Sequence, residues 1–154
     1  VAPVPLEATA ALRDAQGRAV GTATFSEVPG AVRLVIEARG LPPGMKGVHI
    51  HEGGSCTPPD FDAAGDHFNP GGRPHGVLNP TGPHAGDLPN LTIDPDGTGR
   101  METTTNRVTL SAGPTSILQG GPRTLVVHAG PDDHQTDPAG NSGPRIACGV
   151  NVEK

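Results

Sequence analysis

The stretch "GVHIHEGGSC", residues 47–56, decides how the rest of the chain is read. It sets His49 and His51 one residue apart on a strand-like segment and ends in glycines and Cys56. Successive side chains of a strand point to opposite faces, so residues i and i+2 share a face and these two imidazoles can aim at one point. A chance pair on a strand surface is the plainer reading. The sharper one is a metal held by His49 and His51, with Cys56 fixing the loop beside it.

The segments on either side are short, apolar and alternating. "LEATAALRDAQGRAVGTATF" reads as a hairpin turning at Asp14–Gly17. In "AVRLVIEARGL", Val32, Leu34, Ile36 and Ala38 face one way and Arg33, Glu37 and Arg39 the other, with Val35 the exception. After residue 51 comes a long stretch, 52–86, rich in Gly, Pro and His. "LPNLTIDPDGTGRMETTT" predicts a second hairpin turning at Asp94–Gly99, and "RVTLS", "RTLVVHAG" and "RIACGVNV" predict further strands. Residues 130–144 form a second long loop. The expectation is all-β: an eight-stranded antiparallel sandwich or flattened barrel with two long functional loops. Residues 6–154 make one domain, and residues 1–5 a Pro-stiffened extended tail.

Composition narrows the classes further. The 23 glycines and 18 prolines suit a loop-rich β domain, and with Phe25, Phe61 and Phe68 as the only aromatics, Val, Leu, Ile and Ala must fill the core. Such a core calls for staples, a disulfide or metal ions. Cys56 and Cys148 are the only cysteines: they are either one bridge or two buried thiols. A bridge would close roughly 90 residues, contribute roughly 4–5 kcal/mol through chain entropy, and indicate an oxidising compartment. No hydrophobic run reaches membrane-spanning length. "VAPVPLE" has no charged or apolar signal region, so any export signal is expected to have been removed already. The net charge is −5 and the 11 Lys and Arg are scattered, which leaves nucleic-acid binding without a basis.

The remaining histidines sharpen the metal reading. His67, His75 and His84, with Asp87, fall in or just after the first long loop, where no periodic core role explains them, and His128 ends an apolar strand. Imidazoles plus one carboxylate suit copper and zinc better than calcium or magnesium. In order, "HIHEGGSC", "GDHFNP", "PHGVLNP", "PHAGDLPNL", "LVVHAGPDD" and "GPRIACGV" resemble the copper–zinc superoxide dismutase family, bacterial type, from about residue 6 to the end. The resemblance implies a Greek-key fold and dismutation of superoxide by copper redox cycling with a structural zinc. It implies His49, His51, His67 and His128 as copper ligands and His67, His75, His84 and Asp87 as zinc ligands. His67 would bridge the two metals and relay a proton, and Arg145 would dock the anion. Asp132 would link His49 to His75, and Cys56 would pair with Cys148. His134 is left as a surface loop residue without a role.

The sequence departs from the animal and plant branch of that family, which carries a Lys-Thr pair ahead of the arginine; Pro138 and Ala139 stand there instead. With Lys46 and Lys154 the only lysines, steering of the anion must come from elsewhere. The expected setting is periplasmic or secreted, as a monomer or homodimer. Two other classes compete with this reading. A non-catalytic copper or zinc-binding module would not require Arg145. A zinc hydrolase needs an open zinc position, which four protein ligands would close.

Overall fold

Alternation of small and branched apolar residues with polar ones drives ten segments among the described residues into strands, which long loops connect. The structure is a computed structural model and describes residues 6–118 and 122–153; the expected tail at residues 1–5 lies outside them. The strands are β1 (Glu7–Asp14), β2 (Ala19–Val28), β3 (Ala31–Ala38), β4 (Gly44–Lys46), β5 (Val48–His51), β6 (Leu91–Ile93), β7 (Gly99–Thr105), β8 (Thr124–His128), β9 (Arg145–Val150) and β10 (Val152–Glu153). The only helical turn among the described residues is 3-10, Asp62–Ala64.

Eight strands form one antiparallel sheet in the order β5-β8-β9-β1-β2-β3-β7, with β10 pairing β1, and β4 pairs separately with β6. The chain leaves β3 near one end of the sheet, crosses to β5 at the other, returns to β7 beside β3, and crosses again to β8 beside β5. These paired crossings make the Greek key. Ile50 of β5 and Leu125 of β8 share one buried cluster with Leu34 and Ile36 of β3, so the sheet curls around a single core. That core is aliphatic apart from Phe25 and Phe68.

The first hairpin and the strand at Ala31–Ala38 form where expected. Two expectations need correction. The turn near Asp94–Gly99 is present, but β6 pairs with β4 and β7 with β3, so the predicted hairpin opens into two sheets. "RVTLS" is not a strand. Val108 and Leu110 plug the core while Thr109 bonds within its own loop, through its N–H to Thr115 O and its carbonyl to Ile117 N.

One face of β5, β8 and β9 is covered by the first long loop rather than by solvent. Val126 and Cys148 point out to it and bury Phe61 and Ala64 against them. The Cys56–Cys148 disulfide, with Cα atoms 5.7 Å apart, fastens the loop to this face, resolving the cysteine question in favour of the bridge.

Candidate metal centre

The histidine cluster is assembled by backbone pairing. β5 pairs with β8 on one edge; on the other it receives two stretches of loop through isolated bridges, His51 with His67 and His49 with Asp87. Ile50 N–H donates to Gly86 O at 2.8 Å, Phe68 N–H to Ile50 O at 2.8 Å, and Gly86 N–H to Phe68 O at 2.9 Å. Gly86 passes so close to the Ile50 carbonyl that no Cβ fits, so only glycine permits this approach. A register shift between Val127 and His128 sets His128 opposite Arg145 at the end of the β8–β9 ladder.

The outcome is a buried cluster of imidazoles. His49, His51, His67 and His128 offer ligand atoms within 4.8 Å of one another, as do His49, His67, His75 and Asp87. His84 joins the second group closely: its Nδ1 lies 3.0 Å from His67 Nδ1 and 3.7 Å from Asp87 Oδ1. All the ligand residues expected from the sequence therefore converge, and the His67 ring lies where the two groups meet.

Outer hydrogen bonds fix which nitrogen of each ring is bare. His51 Nδ1 donates to Gly65 O at 2.8 Å and His128 Nδ1 to Gly143 O at 3.0 Å. His49 Nε2 donates to Asp132 Oδ2 at 2.6 Å and His75 Nε2 to Asp132 Oδ1 at 2.8 Å. A neutral imidazole has one N–H, so the opposite nitrogens are left as acceptors. Those atoms, His49 Nδ1, His51 Nε2, His128 Nε2 and His75 Nδ1, are buried without a hydrogen-bond partner, together with His67 Nε2 and Asp87 Oδ1. His75 Nδ1 and Asp87 Oδ1 approach to 2.8 Å without the alignment of a hydrogen bond. Each such orphan costs about 1–3 kcal/mol. Six of them turned inward together fit cations coordinated among them.

Electrostatics point the same way. Burial pushes His49 down to about 3, His51 to about 2 and His128 to about 4, so all three rings are neutral at physiological pH, the form that binds metal. His75 is the exception: burial opposes charge on it too, but the carboxylates of Asp132 and Asp87 outweigh it and raise the ring to about 9, so a cation at its Nδ1 must displace a proton. Burial would raise Asp87 and Asp132, but the neighbouring imidazoles and main-chain N–H groups hold both well below the usual carboxylate range. The N–H groups are those of Gly76 and His84 for Asp87; Asp132 has His49, His75 and the His134 N–H. Asp132 also accepts the His134 N–H at 2.7 Å, and Gly140 packs against its Oδ1 with no room for a side chain.

The cluster opens onto a cavity of about 400 Å³ lined by His51, His67, His84, His128, Arg145, Glu52, Asp66, Asn69, Pro138 and Ala139. Arg145 reaches it from β9 and donates to Phe61 O at 2.8 Å and Gly65 O at 2.7 Å. Lys46 is no steering charge. It is buried and donates to Ala129 O at 2.9 Å.

Sequence reasoning missed three residues that brace the site. Asn90 exchanges hydrogen bonds with the main chain of Asp132, its Nδ2 donating to Asp132 O at 3.0 Å and its Oδ1 accepting Asp132 N–H at 2.9 Å. Arg107 Nη2 donates to Asp87 O at 2.8 Å. His134 is largely buried beside Asp132, not a free surface residue. Nothing local in the sequence marks Asn90 or Arg107, whereas His134 stands two residues from Asp132 and could have been suspected on that ground.

The comparisons agree with this geometry. Residues 19–151 match the family model for copper/zinc superoxide dismutase. Superoxide dismutase [Cu-Zn] 2 of Aquifex aeolicus is 48% identical over 147 residues, covering 94% of this chain and 86% of that protein. Superoxide dismutase [Cu-Zn] of Deinococcus radiodurans is 47% identical over 154 residues, covering 90% and 80%. Among solved structures, a superoxide dismutase-like protein from Bacillus subtilis superposes with TM-score 0.89 at 37% identity, covering 94% of this chain and 97% of that one. The Cu/Zn superoxide dismutase from Brucella abortus gives 0.79 at 32% identity, covering 94% and 98%. By sequence, by fold and by its buried histidine cluster, this chain belongs to the copper/zinc superoxide dismutase family.

Proposed function

We propose that His49, His51, His67 and His128 hold copper through His49 Nδ1 and the Nε2 atoms of the other three, and that His67, His75, His84 and Asp87 hold zinc. His49 also lies within reach of the second group, but its Nε2 is committed to Asp132, and its bare Nδ1 serves the first. The observation that carries this reading is the set of buried, unpartnered ligand atoms, which on His49, His51, His75 and His128 lie on the ring edge opposite an outer hydrogen bond. The enzyme dismutates superoxide: two anions and two protons become dioxygen and hydrogen peroxide. Bound copper supplies the one-electron couple, and zinc a fixed charge without redox chemistry.

The chain's own residues do the rest. Arg145, permanently charged and with N–H donors beyond the two it spends on Phe61 O and Gly65 O, receives and orients the anion in the cavity. His67 has Nδ1 among the atoms that would hold zinc, and its Nε2, whenever it is not engaged with copper, would hold the proton passed to the reduced substrate. Asp132 holds His49 and His75 in register, so the two sites are positioned as a unit. A non-catalytic metal module would have no need of Arg145 at the cavity.

The disulfide and the bacterial relatives fit an oxidising, extracytoplasmic setting, and we assign the protein to the periplasm or secreted space. Residues 6–154 act as one domain, monomeric or homodimeric. Metal analysis of purified, reconstituted protein beside a superoxide-decay assay tests the reading. Copper and zinc at one each per chain with rapid decay supports it. Loss of metal binding on replacing His67 with Ala at neither site would overturn the shared-ligand assignment.

A further inference from the structure

Six of the seven histidines serve the assigned metal sites; the seventh, His134, is also built into the centre. We propose that His134 is a positioning residue, acting on the copper site through Asp132 and His49. The proposal rests on the assignment of His49 to copper.

The backbone of His134 is fixed from three directions. Its φ of +61° lies in the left-handed region, uncommon for a residue with a side chain. Its N–H donates to Asp132 Oδ1 at 2.7 Å, and its carbonyl accepts the Leu78 N–H at 3.0 Å. Gly76, next to His75, packs against that carbonyl so closely that no Cβ could be added. The residue thus ties the loop carrying Asp132 to the loop carrying His75.

The ring is turned inward, with 19% of the side chain exposed. Its Nε2 is 3.4 Å from Asn90 Nδ2. The Asn90 amide cannot be reversed, because both its ends already pair with the Asp132 main chain. An amide nitrogen only donates, so Nε2 accepts and the proton of the neutral ring sits on Nδ1. That Nδ1 faces Asp132 Oδ2 at 3.7 Å and has no hydrogen-bond partner.

Asp132 Oδ2 therefore faces a short, strong hydrogen bond from His49 at 2.6 Å and, beyond hydrogen-bond distance, the N–H dipole of His134 at 3.7 Å. That dipole, buried beside the carboxylate, stabilises the charge of the oxygen that polarises His49. Without it, Asp132 accepts more strongly from His49 Nε2, and the opposite nitrogen becomes a more basic ligand. A more basic imidazole favours Cu(II) over Cu(I). His134 tempers the Asp132–His49 bond and keeps the two copper states closer in affinity.

The test uses the zinc-loaded protein and two variants, His134→Asn and His134→Gly. Both substituents tolerate a left-handed backbone, and both remove the ring. Competition with Cu(I) and Cu(II) chelators gives the affinity ratio, and proton NMR of the Cu(I) form follows the His49 Nε2–H resonance. The expected result is a shift of at least threefold in the ratio toward Cu(II), and a downfield move of that resonance, in both variants with zinc affinity retained. An unchanged ratio and resonance in either folded variant would overturn the proposal alone. A parent protein whose His49 resonance ignores copper overturns the underlying assignment and this proposal with it.

Discussion

Arg145 and His51 share one acceptor: Gly65 O takes the guanidinium Nη2 at 2.7 Å and the His51 Nδ1–H at 2.8 Å. The group proposed to receive the anion and a proposed copper ligand are thus indexed to the same peptide. Replacing Arg145 with Ile should lower the dismutation rate at least several-fold while copper stays bound, since His51 keeps its carbonyl. Arg145→Lys should fall between the two, because an ammonium cannot span Phe61 O and Gly65 O as a planar fork does. Stopped-flow superoxide decay with metal analysis makes the check, and a rate unchanged by the isoleucine rejects the docking role.

Asp132 is the joint between the two sites, and an amide there would offer one acceptor oxygen where the carboxylate offers two. Asp132→Asn should weaken copper and zinc together, by about 10–100-fold each. Chelator competition on each metal measures this. If only one affinity changes, Asp132 is not the link between them.

How much of this was legible in the sequence follows from distance along the chain. His49 and His51 could be read locally, because strand geometry alone puts i and i+2 on one face. The strand holding Val32, Leu34 and Ile36 was likewise plain from alternation. His67 and Asp87 were not legible that way. They reach β5 through bridges to His51 and His49 across long stretches of chain; their place in the loop marked them as candidate ligands, and only the family resemblance assigned each to a metal. Asn90 and Arg107 act on main-chain atoms of Asp132 and Asp87, contacts that leave no pattern in residue type. "RVTLS" misled because burial of Val108 and Leu110 looks the same in a strand as in a loop that plugs a core.

The metal-free protein should be most stable near pH 6.5. Below that, the unfolded chain takes up protons at three histidines that the fold holds neutral, so stability is lost as pH falls from about 6.5 through the folded values of about 4, 3 and 2 for His128, His49 and His51. Each contributes up to about 1.4 kcal/mol per pH unit. The depressed carboxylates Asp87 and Asp132 add to the loss once pH falls below their ordinary range. His75 behaves oppositely: raised to about 9, it stabilises fully below pH 6.5 and less as pH climbs through 9. Melting curves of chelated protein from pH 4 to 9 should show a peak with the steeper fall on the acid side. A melting temperature that rises on acidification from pH 6.5 would contradict the buried, neutral rings.

An aliphatic core with few aromatics leans on its staples. Chelation should lower the melting temperature, and reduction of Cys56–Cys148 should lower it further, since the bridge fastens the loop that carries His67 to β9. Calorimetry with chelator, reductant and both separates the contributions. A transition indifferent to both treatments would leave the core self-sufficient.

The cavity that admits an anion is lined by two carboxylates, Glu52 and Asp66, against the single cation Arg145, with Pro138 and Ala139 bringing no charge to it. Around it the chain has a net charge of −5. At roughly 10 Å in water each carboxylate repels superoxide by about 0.4 kcal/mol, so neutralising both should accelerate capture about fourfold at low ionic strength. The Glu52→Gln/Asp66→Asn double variant should therefore exceed the parent in kcat/KM in dilute buffer. The gap should close toward 0.15 M salt, where the screening length is about 8 Å. The parent itself should gain rate, or hold it, as salt is first added, because screening removes repulsion at the rim while Arg145, packed against Phe61 and Gly65, is screened less. A parent whose rate falls steeply from the first additions of salt would mean that positive charge guides the anion in, and that these two carboxylates are too well solvated to matter.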